Sequence, residues 1–160
     1  MDAKHEEFIR DLMKGKIAEI LFEQMFRDSG KFTILHSGYE YTIPELAQYQ
    51  HFVEIKAVIE NIRNVPDFIL ITQDKTQVYL VEVKYRSKIH EKELLGIAER
   101  TLQTWEKCWL FVASPSGFFF DPCNRVKNNN GKMNLLDGNW IQNQIQSDYL
   151  GLLNQFESRM

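Results

Sequence analysis

Two carboxylates and one ammonium group stand in stretches that otherwise have the composition of buried strands. Asp67 directly precedes "FILIT", and Glu82 and Lys84 lie within "QVYLVEVKY". Both stretches are rich in the β-branched and aromatic residues that favour strands. Because burial of an unpaired charge is costly, we expect these three side chains to have partners or a chemical task.

The spacing of the two strands predicts that the two acids face each other. A short polar turn at Asp74-Lys75 joins the strands. If the turn is a tight two-residue one, Asp67 lies directly opposite Glu82, because both are equally far from it, and their Cβ atoms are about 4.5–5.5 Å apart. Like charges at that distance repel, whereas a divalent cation between them makes the interaction favourable. Oxygen ligands of this kind suit Mg²⁺ or Mn²⁺.

Lys84 follows Glu82 by two residues and therefore projects from the same face of the strand. Its ammonium group would stand beside a cation held by the acids, where it could orient a water molecule or stabilise developing negative charge. The alternative is that Lys84 only neutralises Asp67 and Glu82. Tyr85 lies on the opposite face, and we expect it to be part of the core.

A third acid lies on the first predicted helix, residues 4–28. This helix carries one stripe of mostly apolar or small residues, formed by Phe8, Leu12, Gly15, Glu19, Phe22 and Phe26. The opposite side is apolar too, so we expect a helix buried on two sides, with Gly15 allowing a neighbour to come close. Glu19 within such a stripe needs a partner: a salt bridge to Lys or Arg, a metal, or a metal reached through water.

The remaining elements predict a sheet flanked by helices. In chain order they are a strand at "KFTILHS", a helical segment over 43–62, the two strands above, a helix over 88–106, a strand at "KCWLFVAS", a short strand at "GFFFD" and a helix from about Trp140. "NNNG" is typical of a surface turn. We therefore predict an α/β (α+β) fold with a mixed sheet of four to five strands, in the order α-β-(α)-β-β-α-β plus a C-terminal helix.

Composition limits the class of protein. With 160 residues, 44% of them hydrophobic and 26% charged, the chain is expected to form a single domain with one core. It has no apolar run of transmembrane length and no signal-peptide pattern, which predicts a cytoplasmic protein without a membrane partner. Cys108 and Cys123 form no CxxC motif and the four histidines have no metal-ligand spacing, which argues against zinc. One disulfide is left open.

The order of these features resembles the PD-(D/E)xK nuclease superfamily, whose members have the restriction-endonuclease-like fold. The matching residues are Pro66-Asp67, then Glu82-Val83-Lys84, with Glu19 in "GKIAE" as the frequent first-helix acid. The resemblance covers roughly residues 5–114. It leaves a C-terminal extension of about 115–160 unassigned.

The resemblance implies Mg²⁺-dependent cleavage of phosphodiester bonds, with Mn²⁺ as a substitute. Asp67 and Glu82 would bind the metal, the Val83 carbonyl would be a further ligand, and Glu19 a candidate ligand. Lys84 would position or activate the attacking water.

The expected substrate is nucleic acid, with DNA favoured over RNA. Although the net charge is −3, local cationic patches set attraction to phosphate. Arg86 and Lys88 at the strand end and Arg63 before it are candidate phosphate contacts, and Gln103 loosely resembles a helix-borne polar site residue of the family. Solvated surface charge is the alternative. Two further readings stay open, a non-catalytic nucleic-acid- or protein-binding module and a structural ion cluster, as does a homodimer.

Overall fold

The computed structural model describes residues 1–37 and 65–159. Its helices and strands are α1 (Ala3–Asp28), β1 (Phe32–His36), β2 (Phe68–Thr72), β3 (Val78–Tyr85), α2 (Glu91–Thr104), β4 (Cys108–Ser114), β5 (Gly117–Pro122), α3 (Cys123–Asn128) and α4 (Asn143–Arg159). The helical segment predicted over 43–62 and the candidate contact Arg63 lie outside the described residues.

The strands form one mixed sheet in the order β1-β2-β3-β4-β5. Neighbouring strands are antiparallel except for β3 and β4, which are parallel and are connected through α2. A parallel pair needs such a crossover, whereas the antiparallel pairs need only short loops. The predicted class, a mixed sheet flanked by helices, is confirmed.

The sheet separates two hydrophobic layers. One layer joins α1 and α4 to the sheet and is dominated by aromatic rings, including those of Phe22, Phe26, Phe68, Phe111 and Phe120. The other layer packs α2 and α3 against the alternate residues of β4, and it contains both free cysteines. Within the described ranges, no helix has the length and apolar character needed to cross a bilayer.

The first half of α1 departs from the prediction that this helix is buried on two sides. Phe8 and Leu12 are 60% and 45% exposed, and the buried positions begin only at Ala18. With 26 residues, α1 is about 39 Å long, which is longer than the width of five strands spaced about 4.8 Å apart. Its N-terminal half therefore extends past the core. No described atom lies within 4 Å of a Cβ placed at Gly15, so the close approach expected there is not found.

Residues beyond 114 contribute to the same sheet and the same core. β5 pairs with β4 from Pro122 to Gly117, and Ile141 and Leu153 are buried in the aromatic layer. Helix α3 was not predicted, because six residues are too few for a periodic pattern. The "NNNG" stretch begins at the last residue of this helix, Asn128, and its other three residues form the predicted turn.

Candidate active site

The pairing of β2 with β3 has the predicted register. Phe68 lies opposite Val81 and Ile69 opposite Leu80, so the next pair outward is Asp67 and Glu82. The loop differs from the prediction, since residues 73–76 replace the two-residue turn. The longer loop is centred on the same point of the chain, and the strands therefore keep the same alignment.

Asp74 fixes this loop. Its Oδ1 accepts hydrogen bonds from Thr72 Oγ1 at 2.6 Å, from the Thr76 backbone N–H at 3.0 Å and from Thr76 Oγ1 at 2.7 Å. These bonds lower the pKa of Asp74 to about 2, with the Thr72 hydroxyl as the largest cause. The carboxylate thus holds the turn that sets the register of the site.

Asp67 stands where β2 and β3 cease to pair, and both its backbone and its side chain are held. Its carbonyl oxygen accepts from the Ser37 N–H at 3.0 Å, which anchors it to the end of β1. Its Oδ2 accepts from the Val83 N–H at 2.8 Å. The N–H and the carbonyl of one strand residue point to the same side, so the Val83 carbonyl also faces the gap beside Asp67.

Glu82 and Lys84 project from β3 on the same face, as predicted. Lys84 Nζ lies 3.2 Å from Glu82 Oε1, and their side chains are 35% and 20% exposed. Val83 between them is buried in the aromatic layer. Alternation along β3 therefore puts the charged pair at the cleft and anchors the strand by its other face.

Burial is the largest influence on the electrostatics of the two acids, and it disfavours their negative charges. Desolvation by burial, followed by the charge of Glu82, raises the pKa of Asp67 from 3.8 to about 7. Burial also raises the pKa of Glu82, against the opposing effect of Lys84, and the charge of Glu19 adds to the increase. Together the two acids favour a bound proton or cation over two free negative charges.

A cleft of about 590 Å³ opens beside these acids, between α1 and β3. Glu19 lines it, with its side chain 23% exposed and Lys16 Nζ at 3.3 Å from its Oε2. In the described ranges, no three His, Cys, Asp or Glu side chains gather closely enough to hold a metal. The predicted oxygen donors Asp67, Glu82, Val83 and Glu19 all line the cleft, together with Asp11 and Glu93.

The candidate nucleic-acid contacts are only partly brought to this cleft. Arg86 lines it, but its Nε donates to Glu93 Oε1 and its Nη1 donates to the Tyr85 carbonyl at 2.6 Å. Lys88 is exposed and is not among the lining residues. Gln103 is about 15 Å beyond Glu93 along α2, so it too is outside the cleft.

Sequence reasoning missed a second group at the cleft. Lys14, Tyr85 and Ser87 line it, and all three contact Glu157 from α4. Tyr85 is buried as expected, yet its hydroxyl donates to Glu157 Oε2. No local sequence pattern links Lys14, Tyr85 and Ser87 to Glu157, because they are too far apart along the chain. A weaker signal exists on α1, where Asp11, Gly15 and Glu19 recur every four residues and all line the cleft.

No family model matches the chain, and no curated protein is significantly similar to it.

Proposed function

We propose that this protein is a Mg²⁺-dependent nuclease that hydrolyses phosphodiester bonds, with DNA as the favoured substrate. The observation that carries the proposal is the pairing of Asp67 with Glu82, partly desolvated and facing an open cleft, with the pKa of Asp67 raised to about 7. A structural ion cluster would be expected to balance its charges. Among the described residues, Lys84 is the cation that lowers the pKa of both acids, yet burial and the neighbouring carboxylates still raise the pKa of each. The resemblance to the PD-(D/E)xK nucleases supports the same reading.

The donor set fits a hard divalent cation. Asp67 and Glu82 would hold it with the Val83 carbonyl, and Glu19 would reach it through water, since carboxylate and carbonyl oxygens are the ligands that Mg²⁺ prefers. When bound, the ion would act as a Lewis acid on a phosphate oxygen and make water more acidic. The Val83 N–H keeps one oxygen of Asp67 oriented, which fixes the direction in which the other oxygen points.

Lys84 would act on the attacking water and on the phosphate. The water would attack phosphorus and release its proton to solvent, while the bond to the leaving oxygen breaks and that oxygen takes up a proton from solvent. The Lys84 ammonium group, held 3.2 Å from Glu82, would stabilise the negative charge that develops on the phosphate oxygens. Arg86 would contact the substrate backbone only after it exchanges its bond to Glu93.

The test combines metal binding with cleavage. Thermal unfolding of the wild type, Asp67→Asn and Lys84→Met is measured in EDTA, Mg²⁺ and Mn²⁺, alongside a plasmid-nicking assay. We expect Mn²⁺ to stabilise the wild type, by about 2.7 kcal/mol at a hundredfold excess over Kd, because it binds only the folded state. Asp67→Asn should lose this stabilisation. Lys84→Met should keep it and lose nicking by about 10²-fold or more.

Asp148→Asn is the control, since it removes an exposed acid on α4 that accepts a hydrogen bond from Gln144 of the same helix. It should retain both metal stabilisation and nicking. Metal binding without nicking in the wild type would favour the non-catalytic binding module instead. Absence of any metal effect would identify Asp67, Glu82 and Lys84 as a structural ion cluster.

A further inference from the structure

Three side chains that line the cleft contact one carboxylate, that of Glu157: Lys14 from α1, and Tyr85 and Ser87 from the end of β3 and just after it. Ser87 Oγ lies 3.1 Å from Glu157 Oε1, and Lys14 Nζ lies 3.7 Å from the same oxygen. The Tyr85 hydroxyl donates to Glu157 Oε2. Lys14 Nζ is also 3.3 Å from Ser87 Oγ and 5.6 Å from the centre of the Tyr85 ring. The donors thus form a compact cradle around an anion.

The position of Glu157 within α4 does not stabilise its negative charge. It lies in the last turn of α4, where the helix dipole disfavours negative charge. Although burial acts to raise it, the bonds from Tyr85 and Ser87 and the charge of Lys14 hold the pKa of Glu157 below its ordinary value. The cradle, and not the helix, therefore stabilises the carboxylate there.

The cradle is also part of the cleft that holds the proposed catalytic acids. Lys14, Tyr85 and Ser87 line the same cleft as Asp67 and Glu82. The other lining cations are engaged by cleft acids, Lys84 by Glu82 and Arg86 by Glu93, whereas the acid on Lys14 comes from the terminal turn of α4. A carboxylate and a phosphodiester each present two equivalent anionic oxygens, so donors that fit one also suit the other.

We propose that Lys14, Tyr85 and Ser87 form a second phosphate-binding subsite, which holds a backbone phosphate of the substrate other than the one that is cleaved, and that Glu157 occupies it until the substrate displaces it. This subsite rests on the proposed nuclease function and extends it. Glu157 acts as a competing anion that weakens binding of ligands lacking the energy to displace it. The last turn of α4 can release its carboxylate without disturbing Leu153, which is buried one turn earlier.

The test uses inorganic pyrophosphate as the probe, titrated calorimetrically into the full chain in EDTA at constant ionic strength, so that neither metal nor cleavage contributes. Glu157→Gln should bind pyrophosphate about fivefold more tightly than the wild type, the effect of removing one partly exposed competing charge. Adding Lys14→Met to Glu157→Gln should abolish this gain. If Lys14→Met does not fold, Ser87→Ala in the Glu157→Gln background takes its place and should reduce the gain.

Matched controls change the same charges on the same helices. Asp148→Asn on α4 and Lys4→Met on α1, both exposed, should leave pyrophosphate affinity at the wild-type value. The subsite is refuted if Glu157→Gln binds no more tightly than the wild type, or if the gain survives Lys14→Met or Ser87→Ala. Because this readout needs no catalysis, its failure leaves nicking by the wild type intact. Conversely, absence of nicking does not alter the pyrophosphate result.

Discussion

Asp67 and Glu82 meet at the one place where the β2–β3 ladder opens, and the chain stabilises each acid differently. Asp67 Oδ2 accepts a hydrogen bond from the Val83 N–H at 2.8 Å, and Glu82 Oε1 forms an ion pair with Lys84 Nζ at 3.2 Å. A single neutral hydrogen-bond donor does not compensate for burial beside another acid, so the pKa of Asp67 rises to about 7. The balance of charge is thus completed by a proton below about pH 7, and by a cation in the proposed function.

This shift makes the stability of the metal-free protein depend on pH. The pKa of Asp67 is raised from 3.8 in the unfolded chain to about 7 in the folded one, so between these values the folded state binds the extra proton. The stability contributed by that proton is fully present below about pH 4 and is lost as the pH rises through about 7, roughly 4 kcal/mol in total. Asp67→Asn should remove this loss, and in EDTA it should be more stable than the wild type at pH 8.

Urea unfolding at pH 5 and pH 8 in EDTA measures the effect as the difference between the two proteins, which cancels the contribution of other titrating groups. Asn retains an oxygen that can accept from the Val83 N–H, so the variant isolates the charge. An Asp67→Asn protein that is less stable than the wild type at pH 8 would show that the carboxylate is stabilising when ionised.

At the scale of elements, the sequence predicted the features that depend on local residue patterns. It did not predict those that depend on the length of a helix relative to the sheet or on contacts between residues far apart in the chain. The register of Asp67 with Glu82 was readable because any symmetric loop about Asp74-Lys75 gives the same alignment. The exposure of the first half of α1 could not be predicted, because an apolar stripe does not reveal that Phe8 and Leu12 extend past the sheet. The contact of Glu157 with Tyr85 joins residues 72 positions apart, for which a single sequence carries no signal.

The packing of α2 on the loop after α3 depends on one glycine. Gly131 has φ +92°, and a Cβ there would lie 1.8 Å from the Glu91 carbonyl oxygen. Gly131→Ala should therefore cost about 3 kcal/mol or more, since both the backbone conformation and the first turn of α2 must change. A Cβ at Gly151 of α4 meets none of the described neighbouring residues within 4 Å. Gly151→Ala should therefore stabilise the protein by about 0.5–1 kcal/mol through helix propensity.

Chemical denaturation of both glycine variants measures the two effects under one set of conditions. Because Glu93 and Arg86 lie at the start of α2 and the end of β3, Gly131→Ala should also alter the edge of the cleft. Equal and small effects of the two substitutions would mean that the loop does not pack on α2 as the structure describes.

At the scale of the whole molecule, the C-terminal helix returns to the layer that α1 begins. Leu153 of α4 is buried in the aromatic layer, and the Tyr149 hydroxyl lies 2.5 Å from Asp28 Oδ2 at the end of α1. Glu157 then contacts Lys14, which lines the cleft. The resemblance to the nuclease superfamily ends near residue 114, yet the residues after it complete the core on which the site depends.

Two adjacent leucines of α4 test whether this helix belongs to the core. Leu153 is 1% exposed and Leu152 is 54% exposed, so the two differ in burial while sharing chemistry and helix position. Leu153→Ala should destabilise the protein by about 2–5 kcal/mol because it leaves a cavity in a packed layer. Leu152→Ala should change stability by less than about 0.5 kcal/mol. Urea unfolding of both variants measures the difference, and a cost for Leu153→Ala no greater than that for Leu152→Ala would place α4 outside the core and remove the physical basis for Glu157 at the cleft.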